Sequence, residues 1–183
     1  MPRIIAAGSA SALPLLRDRI RPGVRVLFVG INPGVRSALT NHHFAGHSNR
    51  FWKLLFDAGL VPEPITFVDD DRLPEWGFGV TNLIARPTPG IDTLVPADYD
   101  AGLLELRRKV RRWKPQVVAL VGVTLYRFVF RVPPREPIAL GMQHDLFEGA
   151  RVFVLPNPSG RNANFSYAEM LAAFARLKSQ DTV

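Results

Sequence analysis

Gly30-Ile31-Asn32-Pro33-Gly34 combines residue types that suit a ligand-facing loop. The two glycines let the backbone approach a bound group closely, and Pro33 fixes a turn. Asn32 presents an amide with both a donor and an acceptor. The amide is neutral, so it can orient a partner but is a poor base. An ordinary strand-to-loop turn uses the same residues, so the pentapeptide alone reads equally as turn and as site. Three of the four histidines, His42, His43 and His47, lie close together in sequence. They sit in a loop-like stretch without a carboxylate or an H-x-x-x-H helix pattern, which argues against a metal. Asp92 follows the turn residues Thr88-Pro89-Gly90. If that loop covers the same pocket, Asp92 can activate water instead of Asn32 or alongside it; otherwise it is an exposed loop carboxylate.

The elements that must hold these residues can be read from hydrophobic patterning. Val24–Val29 is a short apolar run with one Arg, the pattern of a buried strand. Leu13–Ile20 suggests a short helix beginning at Pro14, closed by Arg21-Pro22-Gly23. Arg36–His47 lacks periodicity and reads as a long functional loop. Phe51, Leu54, Leu55 and Ala58 have helical spacing after a cap at Ser48 or Asn49, and Gly59 stops that helix. Val61–Gly77, rich in Pro and Asp, reads as an irregular surface excursion. Phe78–Leu83, Gln116–Gly122 and Arg151–Pro156 read as strands, with a further strand and turn in Ile138–Glu148. Helices are expected over Asp98–Trp113, around Tyr126–Phe130, and after the Ser166–Glu169 capping box, with Met170, Leu171, Phe174 and Leu177 packing the last. The cations Arg107–Lys114 read as a solvated helix face rather than a nucleic-acid contact. Strands alternating with helices imply an α/β fold with a mainly parallel sheet covered on both faces.

The bulk numbers fit that picture. The 183 residues suit one domain, residues 1–183, with 1–23 as a lead-in. Hydrophobic residues make up 47%, and the net charge of +7 favours an anionic partner. Cysteine is absent, which excludes disulfides, thiol nucleophiles and thiolate metal sites. No apolar run is long enough to span a membrane, and the start of the chain does not read as a signal peptide. A cytoplasmic location is expected.

Taken in order, the motifs resemble the mismatch-specific uracil-DNA glycosylase and thymine-DNA glycosylase family. They are Gly30–Gly34, His42-His43-Phe44 leading to Asn49–Lys53, Gly79–Asn82, Thr88–Gly90 and Asn157–Gly160, and the resemblance covers roughly Val24 to Lys178. The resemblance implies the three-layer α/β/α uracil-DNA glycosylase fold with a central mainly parallel sheet. It implies hydrolysis of the N-glycosidic bond of a pyrimidine flipped out of duplex DNA, without metal or other cofactor. Asn32 then positions the attacking water. Phe44 stacks on the base, although a core aromatic is the plain alternative. Asn82 lies at the polar edge of the base, unless it is a strand-end amide satisfied by backbone. His43 reaches the leaving base or the water, unless it is a surface histidine. Ile31, Gly34 and Thr88 complete the base site.

On the DNA side the resemblance places Ser37, Asn157, Ser159, Gly160, Arg161 and Asn162. Arg161 is the wedge that fills the space left by the flipped base. This loop is closer to the Arg-containing loop of thymine-directed members than to the Gly-Leu wedge of bacterial ones. Val35 offers no aromatic wall against a 5-methyl group, whereas Ser37 resembles the uracil-preferring pattern. Uracil opposite guanine is the expected best substrate, with thymine weak or absent. The expected partner is double-stranded DNA bearing mispaired uracil or thymine, bound by a monomer. A non-catalytic lesion- or mismatch-binding protein of the same fold is the alternative. A phosphate-binding α/β protein is disfavoured, because neither a Walker-type Lys nor G-x-G-x-x-G is present.

Overall fold

The computed structural model describes residues 13–181; the first part of the lead-in, 1–12, lies outside them. Its centre is a five-stranded sheet in the order β2-β1-β3-β5-β4. The strands are β1 (Val26–Gly30), β2 (Phe78–Asn82), β3 (Val117–Val121), β4 (Gly141–Phe147) and β5 (Ala150–Leu155). All neighbours are parallel except the edge hairpin β4–β5. β1 and β3 are buried along their whole length. That explains their unbroken apolar sequence, since helices cover both faces of the sheet.

Alternation along the strands divides the core. Val26 and Phe28 of β1 face a cluster with Phe51, Leu54 and Phe174. These come from α2 (Phe51–Asp57) and α5 (Tyr167–Asp181). Leu27 and Val29 face the opposite cluster with Leu106, Val110 and Leu125. These come from α3 (Pro96–Trp113) and α4 (Val123–Val129). The result is the expected α/β/α arrangement. α3 begins with Pro96 at its first turn, where Asp98 accepts the Val95 N–H at 3.0 Å. α5 begins with the expected capping box: Glu169 Oε2 accepts the Ser166 N–H at 2.7 Å and Ser166 Oγ accepts the Glu169 N–H at 3.2 Å. Met170, Phe174 and Leu177 are buried, but Leu171 is only half-buried and Ala173 takes the inner position.

Three expectations are overturned. Residues 13–20 are not helical: Arg19 pairs with Val80 of β2 through two backbone hydrogen bonds, of 3.0 and 2.9 Å. The edge of the sheet satisfies this backbone in place of a helix. Within Arg36–His47 there is a short helix, α1 (Val35–Thr40), that buries Ser37 and Ala38. Part of Val61–Gly77 is a 3-10 helix, Phe67–Trp76, opened by a Thr66–Asp69 capping box and burying Asp70 and Leu73. The cations of α3 are largely engaged within the fold. Arg107 and Arg111 bind Glu148, Arg108 binds Glu105, Lys109 binds Asp18, and Arg112 lies over Trp113.

Candidate active site

The carboxyl ends of β1 and β2 meet in register, Gly30 opposite Asn82. The pairing continues into the loops: Leu83 N–H donates to Gly30 O, Ile84 N–H to Ile31 O, and Thr88 N–H to Pro33 O. This ladder brings the Thr88 turn against the Asn32 turn. The chain passes from β1 to β2 on one side and then to β3 on the other, so the sheet order changes direction between β1 and β3, the usual place for a ligand crevice in a parallel sheet. A pocket of about 210 Å³ opens there. Ile31, Asn32, Gly34, Ser37, His43 and Phe44 line it, together with Asn82 and Asn157.

Asn32 is tied down on one side only. Its Nδ2 donates to Thr88 Oγ1 at 2.7 Å and to Arg86 O at 3.2 Å, with a longer contact to Pro33 O. All three partners accept, so the amide orientation is fixed. Thr88 is buried, and its own hydroxyl donates a hydrogen bond to Gly90 O at 2.6 Å. Oδ1 of Asn32 accepts from no donor among the described residues. Thr88 therefore braces the site from behind and is not part of the pocket wall.

Gly30 is required by close approach, because a Cβ there would stand 2.6 Å from Asn82 Oδ1 and 3.6 Å from the Phe44 ring. Gly34 is different. A Cβ there meets nothing within 4 Å, so the fold itself does not demand this glycine. Phe44 has a positive φ of 51°, an unusual backbone state for a bulky residue. Its ring stacks on Phe51 at 4.1 Å between centroids, while Phe44 also lines the pocket.

His43 is 1% exposed, so it is not a surface histidine. Nε2 lies 2.9 Å from Arg17 O and Nδ1 lies 3.4 Å from Asn82 Nδ2. Nε2 carries the proton, and Nδ1 accepts from the Asn82 amide. His43 thus lines the pocket and steadies the Asn82 amide beside it. Burial pushes its pKa below the ordinary value of 6.5, against smaller upward effects of the Arg17 carbonyl and of Asp70 and Asp18. The unfolded chain therefore binds this proton more readily than the folded one. Stability is full above about pH 6.5 and falls as the pH drops from there toward the folded pKa. We expect the Tm to decline over this window and the decline to shrink in His43→Gln, measured by calorimetry across pH 7.5 to 5.

Asp70 was not legible as part of the site, yet it organises one wall. Its fully buried carboxylate accepts Arg19 Nε at 3.0 Å, His42 Nδ1 at 2.9 Å and the His43 backbone N–H at 2.9 Å. Leu16 and Asn49 line the pocket and were likewise missed. The three neighbouring histidines turn to separate partners: His42 to Asp70, His43 to Arg17, and His47 to Arg36. Among the described residues no group of three or more His, Cys, Asp or Glu is placed to hold a metal.

Ser37 is buried, and its hydroxyl accepts the Ala45 N–H at 3.1 Å. It holds the Phe44 turn and does not reach outward to a phosphate. Asp92 is exposed in a short 3-10 helix, Ile91–Thr93, and is not part of the pocket wall, although Ile91 is. The loop after β5 is braced internally. Asn157 Oδ1 accepts from Ser159 N–H, Ser159 Oγ from Arg161 N–H, and Asn162 donates to Asn157 O. Gly160 packs on Ser48, where a Cβ would come within 2.5 Å. The Arg161 residue is exposed beside an adjoining hollow of about 320 Å³.

Comparison with known proteins agrees with this fold. The model of the uracil DNA glycosylase superfamily matches residues 18–178. A solution NMR structure from Methanosarcina acetivorans, described as a candidate uracil DNA glycosylase, aligns with a TM-score of 0.60. At 16% identity the alignment covers 91% of this chain and 98% of the other, a likeness of fold.

Proposed function

The chain belongs to the uracil DNA glycosylase superfamily, and we propose that it is a monofunctional glycosylase that hydrolyses uracil mispaired with guanine from duplex DNA. Membership supports DNA glycosylase activity. The substrate range, the flipping step and the residue roles are our own reading.

The observation that carries it is the Asn32 amide, anchored through Nδ2 with Oδ1 left as an acceptor at the pocket. A uracil turned out of the stack enters between Phe44 and the Asn82 amide. Phe44 covers one face of the ring. Asn82, held by His43, offers its amide to the polar edge. Oδ1 of Asn32 accepts a hydrogen bond from water and aims an oxygen lone pair at C1′. The C1′–N1 bond breaks with its electrons going to the base, and the water oxygen bonds to C1′. Asn32 is a poor base, so the water's proton leaves late, to solvent, when the sugar already carries positive charge, and the departing base anion takes up a proton from solvent in turn. Stabilising the departing base is then the larger part of catalysis. Asp92 stands outside the pocket wall, which favours Asn32 as the residue that positions water. The enzyme acts as a cytoplasmic monomer and leaves an abasic site.

Arg161 supports the flipped state by entering the duplex from the minor groove. Arg161→Ala should weaken binding to a G·U duplex by about tenfold, the size of one charge-assisted contact, and slow single-turnover uracil release. Unchanged release would remove the wedge role.

Duplexes carrying G·U, A·U or G·T, and single-stranded uracil, followed by alkaline cleavage, test the substrate reading. G·U should be cleaved fastest and G·T weakly or not at all. Equal rates on A·U and G·U would contradict mismatch preference.

A further inference from the structure

A second hollow of about 530 Å³ adjoins the base pocket and shares Phe44, Gly46 and Asn49 with it. Phe44, Phe56 and Phe67 form much of its apolar wall. Phe56 is 37% exposed although it is aromatic. Arg36 lies in the same wall with its guanidinium 5.3 Å from the Phe67 ring centroid. Arg36 Nε is the one buried side-chain nitrogen or oxygen among the described residues that has no hydrogen-bond partner. A second Arg36 nitrogen contacts His47. At the rim Lys53 pairs with Asp57, whose carboxylate also accepts from Tyr167 at 2.5 Å.

Aromatic surface beside cationic donors is the chemistry that holds single-stranded nucleic acid. A buried guanidinium nitrogen without an acceptor is costly, and a phosphate or carbonyl oxygen would satisfy it. Continuity with the base pocket restricts the occupant to the same DNA strand. We propose that this hollow seats the unstacked nucleotide adjacent to the flipped uracil, with its base on the Phe56–Phe67 wall and its backbone against Arg36. This rests on the base pocket proposed above. Within a G·U duplex it favours sites whose neighbouring base pair opens readily, where the neighbour is free to leave the stack.

The test uses single-stranded oligonucleotides with one deoxyuridine. The base immediately 5′ or immediately 3′ is replaced by an abasic spacer. Uracil release gives kcat and KM, and anisotropy with a 2′-fluorinated, non-hydrolysable deoxyuridine gives Kd. The spacer on one side should raise KM and Kd about tenfold, as expected from one lost base–aromatic stack. On the other side it should change little. In Phe56→Ala and Arg36→Gln, each checked for an unchanged Tm, the spacer effect should largely disappear. No spacer effect on either side, or an equal effect in wild type and both variants, would overturn the proposal. Absence of uracil release from every oligonucleotide and from a G·U duplex assayed beside them would instead overturn the glycosylase reading, and the Kd comparison would still decide the subsite.

Discussion

Asn32→Ala is expected to lower kcat on a G·U duplex by about a hundredfold while leaving KM nearly unchanged. Losing a group that aligns water with the reacting carbon costs roughly that much. The bond Asn32 Oδ1 offers matters most as the water approaches the cationic sugar, so the loss should fall on kcat. Asn32→Asp keeps the acceptor and adds a charge opposite the developing cation, but its second oxygen faces the Arg86 and Pro33 carbonyls, so it should retain only part of the activity. Thr88→Val removes the 2.7 Å anchor on Nδ2 and should cost less than deleting the amide, because Arg86 O still holds it. Asp92→Ala should be indistinguishable from wild type, since Asp92 is exposed and off the pocket wall. Full activity in Asn32→Ala, with activity lost in Asp92→Ala, would reverse the assignment. Steady-state kinetics on these four variants provide the check.

Asp70→Ala is expected to be the most destabilising single substitution near the site. Its carboxylate is fully buried, and its partner Arg19 is only 14% exposed. Removing it leaves Arg19 Nε, His42 Nδ1 and the His43 N–H without their acceptor, while the other two Arg19 nitrogens keep the Arg17 and Asn41 carbonyls. Deleting one member of a buried ion pair costs about 3–5 kcal/mol. In a chain of this size that corresponds to a Tm fall of roughly 6–20 °C. Asp70→Asn keeps one acceptor oxygen and should lose less. A Tm within a degree or two of wild type for Asp70→Ala, by calorimetry at pH 7.5, would contradict the role assigned to this hub.

What the sequence revealed follows from locality. The strands were legible because a strand buried on both faces is written as a continuous apolar run, as in Val117–Val121. The α5 cap was legible because its two hydrogen bonds connect residues three apart. The short α1 helix hid because its six residues are too few to show a period. The Phe67–Trp76 segment hid for another reason. Its Asp and Pro content reads as surface, and the partners that bury Asp70 lie far away in sequence, at Arg19 and His42.

The same limit governed the site. Asn32, Phe44 and Asn82 were found through motif order, and the sheet register brings them to one pocket. Their supports were not legible. Nothing local links Thr88 to the Asn32 amide or His43 to Asn82; the extended β1–β2 ladder does the first, and the Phe44 turn does the second. The polar residues after β5 looked like DNA contacts in sequence, but several of their side chains close the loop on itself. Ser37 likewise serves the wall and not the surface.

The central claim is hydrolytic release of uracil, and detection of the free base tests it most directly. A G·U duplex labelled in the uracil ring should be incubated with excess protein, and the released base separated chromatographically. The expected result is free uracil in a one-to-one ratio with alkali-labile abasic sites, without strand cleavage before alkali. Tight binding to the G·U duplex with no free uracil would contradict it and leave a lesion-binding protein of the same fold.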